Sequence, residues 1–324
     1  MAGPQPGTII ACPHARRKRF TTASQADILN RLNTQTVHMS DAPLIRNVSD
    51  TALWVAMYRA LESERLDALF HDPYARELAG ERGREIVERL PKAKHLAWPM
   101  VVRTQILDEL IQDAVEQDGF DTVLNLACGL DTRPHRLALP ARLRWVEVDL
   151  PDIIEYKSAR LKDARAFCRL ERHSVDLTDA VQRRELFARV GAAANRVLIV
   201  TEGLLAYLSE EQVQSLAADL RQPTSFQRWL TDLTSPRGLK VARRYVTQRP
   251  TAGGLEFQFG PKQHVEFFRP LGWKPVAFYS HWDDARRLKR QMRGAALVNF
   301  LMHLIPGALK TARQMGGIAV LERQ

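Results

Sequence analysis

The chain has 324 residues, 45% of them hydrophobic, and a net charge of +10 at pH 7; it can bury one sizeable core, and disorder over most of its length is excluded. No run of about 18 or more apolar residues occurs, and the N-terminus lacks the apolar centre of a signal peptide, so a cytoplasmic protein with no membrane partner is expected. The three cysteines, Cys12, Cys128 and Cys168, show no C-x-x-C spacing and the histidines are scattered without H-E-x-x-H, which argues against a disulfide framework and predicts a metal-free site.

Residues 1–38 are polar, turn-rich and aperiodic, and they hold the basic run Arg16, Arg17, Lys18 and Arg19. They read as a disordered basic tail, with Met39 as the natural start. Much of the net charge lies there, so a nucleic-acid partner is not expected, and a basic nucleic-acid-associated binding protein is only an alternative reading. Residues 39–119 read as a helical N-terminal cover. Asp50 is placed as a helix cap, Leu53, Met57, Ala60 and Leu61 share one helical face, and a later helix stops at Gly119.

After Gly119 short β runs alternate with helices. Strands are predicted over 121–127, 143–150, 169–177, 196–201, 227–233, 274–280 and 317–324. Pro151 opens a helix, and Ser209 with Gln212 forms a capping box for another. Such alternation predicts an open, mostly parallel sheet with helices on both faces, a Rossmann-like α/β core over 120–324. An insertion over 236–272 would lie at the sheet's ligand edge as a lid or a surface excursion.

In such sheets ligands bind beyond the carboxyl ends of the strands. There the chain places NLACGLDTRPHRL, residues 125–137, in which only Gly129 remains of a dinucleotide-type glycine pattern. A pyrophosphate needs close backbone approach and a helix N-terminus, and Asp131 in the turn would repel it. Asp149 follows Gly129 by 20 residues, the spacing at which a carboxylate reaches ribose hydroxyls. The next two strands deliver Asp176 and Leu177, suited to an adenine, and Glu202, suited to an amino group. Gly129, Asp149, Asp176 and Glu202 at successive strand ends suit S-adenosyl-L-methionine better than a nicotinamide dinucleotide. Each acidic residue alone reads equally as a turn former or ion-pair partner, and Cys128 reads as a small filler of the turn.

The stretches SDTALWVAMYRALESERLDALFHDPYARELAG, VVRTQILDE, NLACGLDTRPHRL, VEVDLPDIIEYK, SVDLTD and TEGLLAYLSEEQV resemble the leucine carboxyl methyltransferase superfamily, in particular its bacterial branch of S-adenosylmethionine-dependent enzymes, some of which methylate polyketides. The resemblance runs from about Ser49 to the C-terminus. It implies a seven-stranded sheet with the last strand antiparallel and a helical N-terminal cover. It also implies that Arg103 binds the methionine carboxylate and that Ala127, Cys128 and Gly129 line the methionine portion. Asp149 and Leu150 would meet the ribose, Asp176 and Leu177 the adenine, and Glu202 the methionine amino group. Two departures stand out: Ala127 replaces a frequent glycine, tolerable if its φ is not positive, and LWVAMYRA lacks the lysine of the eukaryotic enzymes. An O-methyltransferase acting on a carboxylate or hydroxyl of a small molecule, such as a polyketide, is the resulting expectation, with protein C-terminal carboxyl methylation as the alternative. Tyr207, His264 and His281 are the candidate acceptor contacts.

Overall fold

The computed structural model describes residues 48–89, 93–246, 257–292 and 294–324. The tail over 1–38, Met39 and the middle of the 236–272 insertion lie outside the described residues.

Three helices come first: α1 (Val48–Ser63), α2 (Ala75–Arg89) and α3 (Ala93–Glu116). Seven strands follow, β1 (Thr122–Leu126), β2 (Arg144–Asp149), β3 (Arg169–Ser174), β4 (Val197–Thr201), β5 (Phe226–Thr234), β6 (Trp273–Ser280) and β7 (Gly316–Arg323). They form one sheet in the order β3-β2-β1-β4-β5-β7-β6. β1 to β5 run parallel and β7 is antiparallel to both its neighbours, as expected from the sequence. The carboxyl ends of β1 to β6 and the start of β7 therefore share one edge.

Side chains alternate across this sheet, so each strand feeds two cores. Leu124, Val197 and Ile199 join a cluster with Leu186, Phe187, Leu216, Trp229 and Trp273. Val123, Leu198 and Val200 face the other way, against Ile106, Leu107 and Ile111 of α3. The central strands are buried along their whole length, which explains their continuous apolar runs.

The connecting helices obey their local signals. Pro151 opens α5 (Pro151–Arg160), following the four-residue α4 (Arg133–Arg136), and Asp179 caps α6 (Ala180–Ala192). The Ser209–Gln212 capping box is formed at α7 (Glu210–Leu220). Asp50 departs from expectation. It lies inside the first turn of α1 and makes a forked ion pair with Arg82 of α2, at 3.1 and 3.0 Å. The described parts of the 236–272 insertion are α8 (Pro236–Val246) and a 3-10 segment, His264–Leu271. Phe259, Phe267 and Phe268 fix this stretch to the core beside Trp229 and Trp273, so these parts are packed structure. Between β6 and β7 lie three helices absent from the sequence-based reading: α9 (His281–Arg287), α10 (Ala295–Leu304) and α11 (Ala308–Arg313). No described helix is long and apolar enough to cross a membrane.

One buried ion pair supports the loop after β1 from below. Lys157 of α5 and Glu147 of β2 are both fully buried with Nζ and Oε1 2.7 Å apart, and Arg172 of β3 takes the other Glu147 oxygen at 2.9 Å. Burial opposes the charged ammonium, but Cys128, Glu147 and Asp131 outweigh it and hold the Lys157 pKa above its ordinary value. Removing one partner strands the other in a dry site. Lys157→Ala is expected to lose about 3–5 kcal/mol of stability in urea titrations, and a loss below about 1 kcal/mol would show the pair to be unimportant.

Candidate active site

Residues 127–132 connect β1 to α4 and turn sharply at the sheet edge. Ala127 and Gly129 both have positive φ, 51° and 50°. The condition for an innocuous Ala127 is therefore not met: its methyl sits in the left-handed region, at a cost of order 1–3 kcal/mol that the surrounding contacts must offset. At Gly129 the missing side chain leaves the backbone open. A Cβ there would touch only Ala52 Cβ of α1, at 3.6 Å.

Those offsetting contacts are numerous. Arg59 of α1 donates to Leu130 O at 2.5 Å and pairs with Asp72 at 2.8 Å, and Asp72 accepts from Thr132 Oγ1 at 2.6 Å. Asp131 is buried and turned inward. Its carboxylate accepts from Asn125 Nδ2 at 2.8 Å, from Arg133 N at 2.9 Å and from Arg133 Nη1 at 2.9 Å. Burial opposes its charge, but Arg133, Lys157 and Arg136 hold its pKa well below the ordinary carboxylate range. The expected repulsion of phosphate by Asp131 thus has no structural basis, because Arg133 neutralises it inside the protein.

Arg133 continues the network. It donates to Asp108 of α3 at 2.6 Å and to Glu202, just past β4, at 2.8 Å. Arg136 grips the same Asp108 through two bonds of 2.6 and 2.8 Å. Glu202 also accepts from Arg103 Nε at 2.9 Å, and Arg103 Nη1 donates to Asp232 of β5 at 2.9 Å. Burial disfavours both carboxylates. Glu202 has two arginines and its pKa is lowered, whereas Asp232 has only Arg103 and Gly203 N–H as charge-stabilising neighbours, so burial wins and its pKa is raised. Gly203 holds φ 72° and donates to Asp232 Oδ1 at 2.8 Å; a Cβ on it would lie 3.5 Å from Arg103 Nη1.

Asp149 ends β2 with its carboxylate oriented by two backbone donors, Gly129 N at 2.7 Å and Leu150 N at 2.8 Å. Burial raises its pKa, only partly countered by those N–H groups. Leu150 is 39% exposed and forms the rim beside it. Asp176 and Leu177 follow β3, whose Ser174 pairs with Asp149. Asp176 is exposed and accepts from Thr178 N and Oγ1 at 2.8 and 2.7 Å, as a turn former does. Leu177 packs against the core. Cys128 points down to Lys157 at 3.8 Å, and burial pushes its thiol well above the ordinary value, which removes it as a nucleophile.

Of the three acceptor candidates, two meet this cluster. Tyr207 lies in a 3-10 turn, Leu205–Tyr207, stacked on Phe257 with ring centroids 5.0 Å apart. Burial raises its phenol pKa, with a Thr51 hydrogen bond and the Arg103 charge opposing. His281 opens α9. Its Nε2 is sealed from solvent with no hydrogen-bond partner among the described residues, and burial followed by the Arg103 charge pushes its pKa down to about 3. His264 is held elsewhere, edge-on to Phe278 of β6 at 4.5 Å. Among the described residues no group of three or more His, Cys, Asp or Glu side chains is arranged to hold a metal ion.

The sequence reading passed over Arg133, Asp108 and Asp232. Asp232 had one usable signal, an acidic residue inside the mostly apolar strand segment WLTDL. Asp108 had none, since an acidic residue on a helix is ordinarily solvated.

The family model described as leucine carboxyl methyltransferase matches residues 52–221. A protein of Streptomyces coelicolor, provisionally named an S-adenosyl-L-methionine-dependent methyltransferase, is 36% identical over 220 residues, 63% of this chain and 73% of that protein. A Frankia alni protein with the same provisional name is 31% identical over 249 residues, 70% of this chain and 83% of that protein. Among solved structures, a duf574 family protein from Streptomyces avermitilis has a TM-score of 0.53 at 14% identity, covering 83% of this chain and 97% of that one. A provisionally assigned methyltransferase from Thermobifida fusca gives 0.52 at 15% identity, with 83% and 94% covered. At these identities the two structures show the fold alone.

The ion network makes the site acid-sensitive. Asp131 and Glu202 have pKa values below their ordinary 3.8 and 4.5, so the stability they contribute is complete above those values and is lost as pH falls through the folded-state pKa values. Asp131→Asn is expected to be less stable than the wild type by about 3–5 kcal/mol at neutral pH. The gap should narrow in acid as Asp131 itself becomes protonated. Stability curves that run parallel from pH about 7 to about 2 would contradict the assignment.

Proposed function

Since this chain belongs to the leucine carboxyl methyltransferase family and is an S-adenosylmethionine-dependent methyltransferase, we propose that it transfers the methyl group to an oxygen of a small molecule, and to a carboxylate in preference to an alcohol or phenol. When bound, S-adenosylmethionine supplies a methyl group on a positively charged sulfur, displaced in line by the acceptor.

The residues at the sheet edge fit this cofactor. Each Asp149 oxygen uses one lone pair on a backbone N–H and keeps another for a ribose hydroxyl. Gly129 and Gly203, both at positive φ, leave backbone surface where a side chain would intrude. The Cys128 side chain is turned down to Lys157, so Ala127 and Cys128 would meet the methionine portion through their backbone. Leu150 and Leu177 offer apolar cover for ribose and adenine, and Asp176 an acceptor for the adenine amino group. Arg103 commits Nε and Nη1 to carboxylates, and its Nη2 donors make no other hydrogen bond among the described residues, which suits a methionine carboxylate. Glu202 has a double part in this reading. It holds Arg103 and Arg133 in place and presents its remaining lone pairs to the methionine amino group.

The preference for a carboxylate rests on one observation: none of the three acceptor candidates is a competent base at the cluster, and Asp232, the carboxylate there with a raised pKa, is committed to Arg103 and the Gly203 N–H. A histidine held at about 3 is too weak to deprotonate an alcohol at neutral pH, a phenol with a raised pKa stays protonated, and His264 is turned to Phe278. Neutral His281 and Tyr207 can still orient an acceptor by hydrogen bonds. An acceptor that arrives ionised needs only positioning, and proximity supplies most of the rate. The absence of a lysine from LWVAMYRA favours a small acid over a protein C-terminus as the acceptor.

Two measurements test this. Calorimetry with S-adenosylhomocysteine is expected to show binding that Asp149→Ala weakens by about 1–3 kcal/mol; no heat with the wild type would end the cofactor assignment. Because burial raises the Asp149 pKa, affinity should fall with decreasing pH before an exposed aspartate would titrate. Turnover of a panel of small carboxylic acids is expected to change little over the neutral pH range, and His281→Gln to leave that profile flat. Turnover confined to phenols, with an alkaline rise that His281→Gln abolishes, would refute the carboxylate preference, as would activity confined to peptides.

A further inference from the structure

We propose that α10 docks the protein onto the surface of an anionic phospholipid bilayer. Within Ala295–Leu304 the residues Leu297, Phe300, Leu301 and Leu304 fall at i, i+3, i+4 and i+7, and Ile305 extends the stripe. These five are 63, 62, 48, 66 and 58% exposed. The opposite face, with Ala295, Val298, Asn299 and Met302, turns inward, and Trp282 Nε1 secures it by donating to Asn299 Oδ1 at 2.9 Å. The helix is thus anchored on one side and presents a continuous apolar face to solvent on the other, which isolated surface leucines do not do.

Charge identifies the occupant. No acidic residue lies between Asp284 and Glu322. Arg287, Arg290 and Arg313 are neutralised by Glu109, Glu62 and Asp283. Arg286, Lys289 and Lys310 are exposed and make no ion pair among the described residues. An exposed apolar stripe with uncompensated cations on the segments that adjoin it in the chain is the composition that inserts at the boundary of headgroups and acyl chains of an anionic membrane. A second copy of this chain fits less well, because a symmetric contact would oppose the same cations. An RNA strand fits less well too, because stacking needs aromatic rings and the stripe has only Phe300. An interfacial helix buries one face and needs no span, so the lack of a spanning segment does not bear on it. The docking is independent of which acceptor is methylated.

The test is flotation of the full chain with vesicles of phosphatidylcholine alone or mixed with phosphatidylglycerol, at low and high salt. The wild type is expected to float with the mixed vesicles at least tenfold more than with phosphatidylcholine, and to be released by salt. The combined Leu297→Gln, Phe300→Gln and Leu304→Gln variant should lose at least tenfold of that binding with an unchanged circular dichroism spectrum. Lys289→Glu with Lys310→Glu, both on exposed side chains, should lose the preference for anionic vesicles and keeps the proposal testable if the apolar variant misfolds. Absence of wild-type flotation, or flotation unaffected by both variants, would overturn it. So would a wild-type dimer that the apolar variant dissolves and vesicles do not compete with, since a second copy would then own the face.

Discussion

The arrangement at the sheet edge depends on one guanidinium. Arg133 is almost completely buried and shared among Asp108, Asp131 and Glu202, which come from a helix, a turn and the end of a central strand. Its burial is tolerable only because its partners are charged and close, and removal of any one carboxylate leaves an excess of positive charge in a dry site. Through Glu202 the same charge fixes Arg103, and through Arg103 it reaches Asp232 on β5. The loop after β1, the strand ends and the N-terminal helices are thereby held in one register.

The network also accounts for strain tolerated beside it. Ala127 occupies a backbone conformation that favours glycine, and the residues after it are pinned by Arg59, Asp72, Asn125 and Arg133. A turn over-determined in this way can hold one residue off its preferred backbone geometry. The α1 helix has a share in this, because Ala52 lies over Gly129 and Leu130 packs among Ala56, Met57 and Leu78. The N-terminal helices are therefore part of the site's floor and wall.

On the acceptor side the electrostatics run the other way. Burial, and after it the Arg103 charge, suppresses protonation of His281, while burial keeps Tyr207 protonated. Both effects leave neutral hydrogen-bonding groups beside Arg103, whose Nη2 is the one face of the guanidinium not committed to a carboxylate among the described residues. Neutral groups can orient an acceptor but give little help in ionising one, which is the physical content of the proposed preference for a carboxylate.

Strand periodicity, the Pro151 and Ser209 helix starts and the spacing from Gly129 to Asp149 were legible in the sequence because each depends on residues near one another in the chain. The seven-stranded sheet follows from them, and so does the edge at which the loops gather. What Asp131, Glu202 and Arg103 do was decided only by tertiary structure. Arg103 and Glu202 meet partners up to 129 positions away, and although Asp131 is held by the nearby Asn125 and Arg133, Arg133 is itself placed by the distant Asp108 and Glu202. Asp131 looked like a group facing a ligand and proved to be an internal ion-pair partner. The stripe on α10 carries the same lesson: the exposure of Leu297, Phe300, Leu301 and Leu304 is decided by which elements pack against the β6–β7 connection, and that is a property of the fold and not of the local sequence.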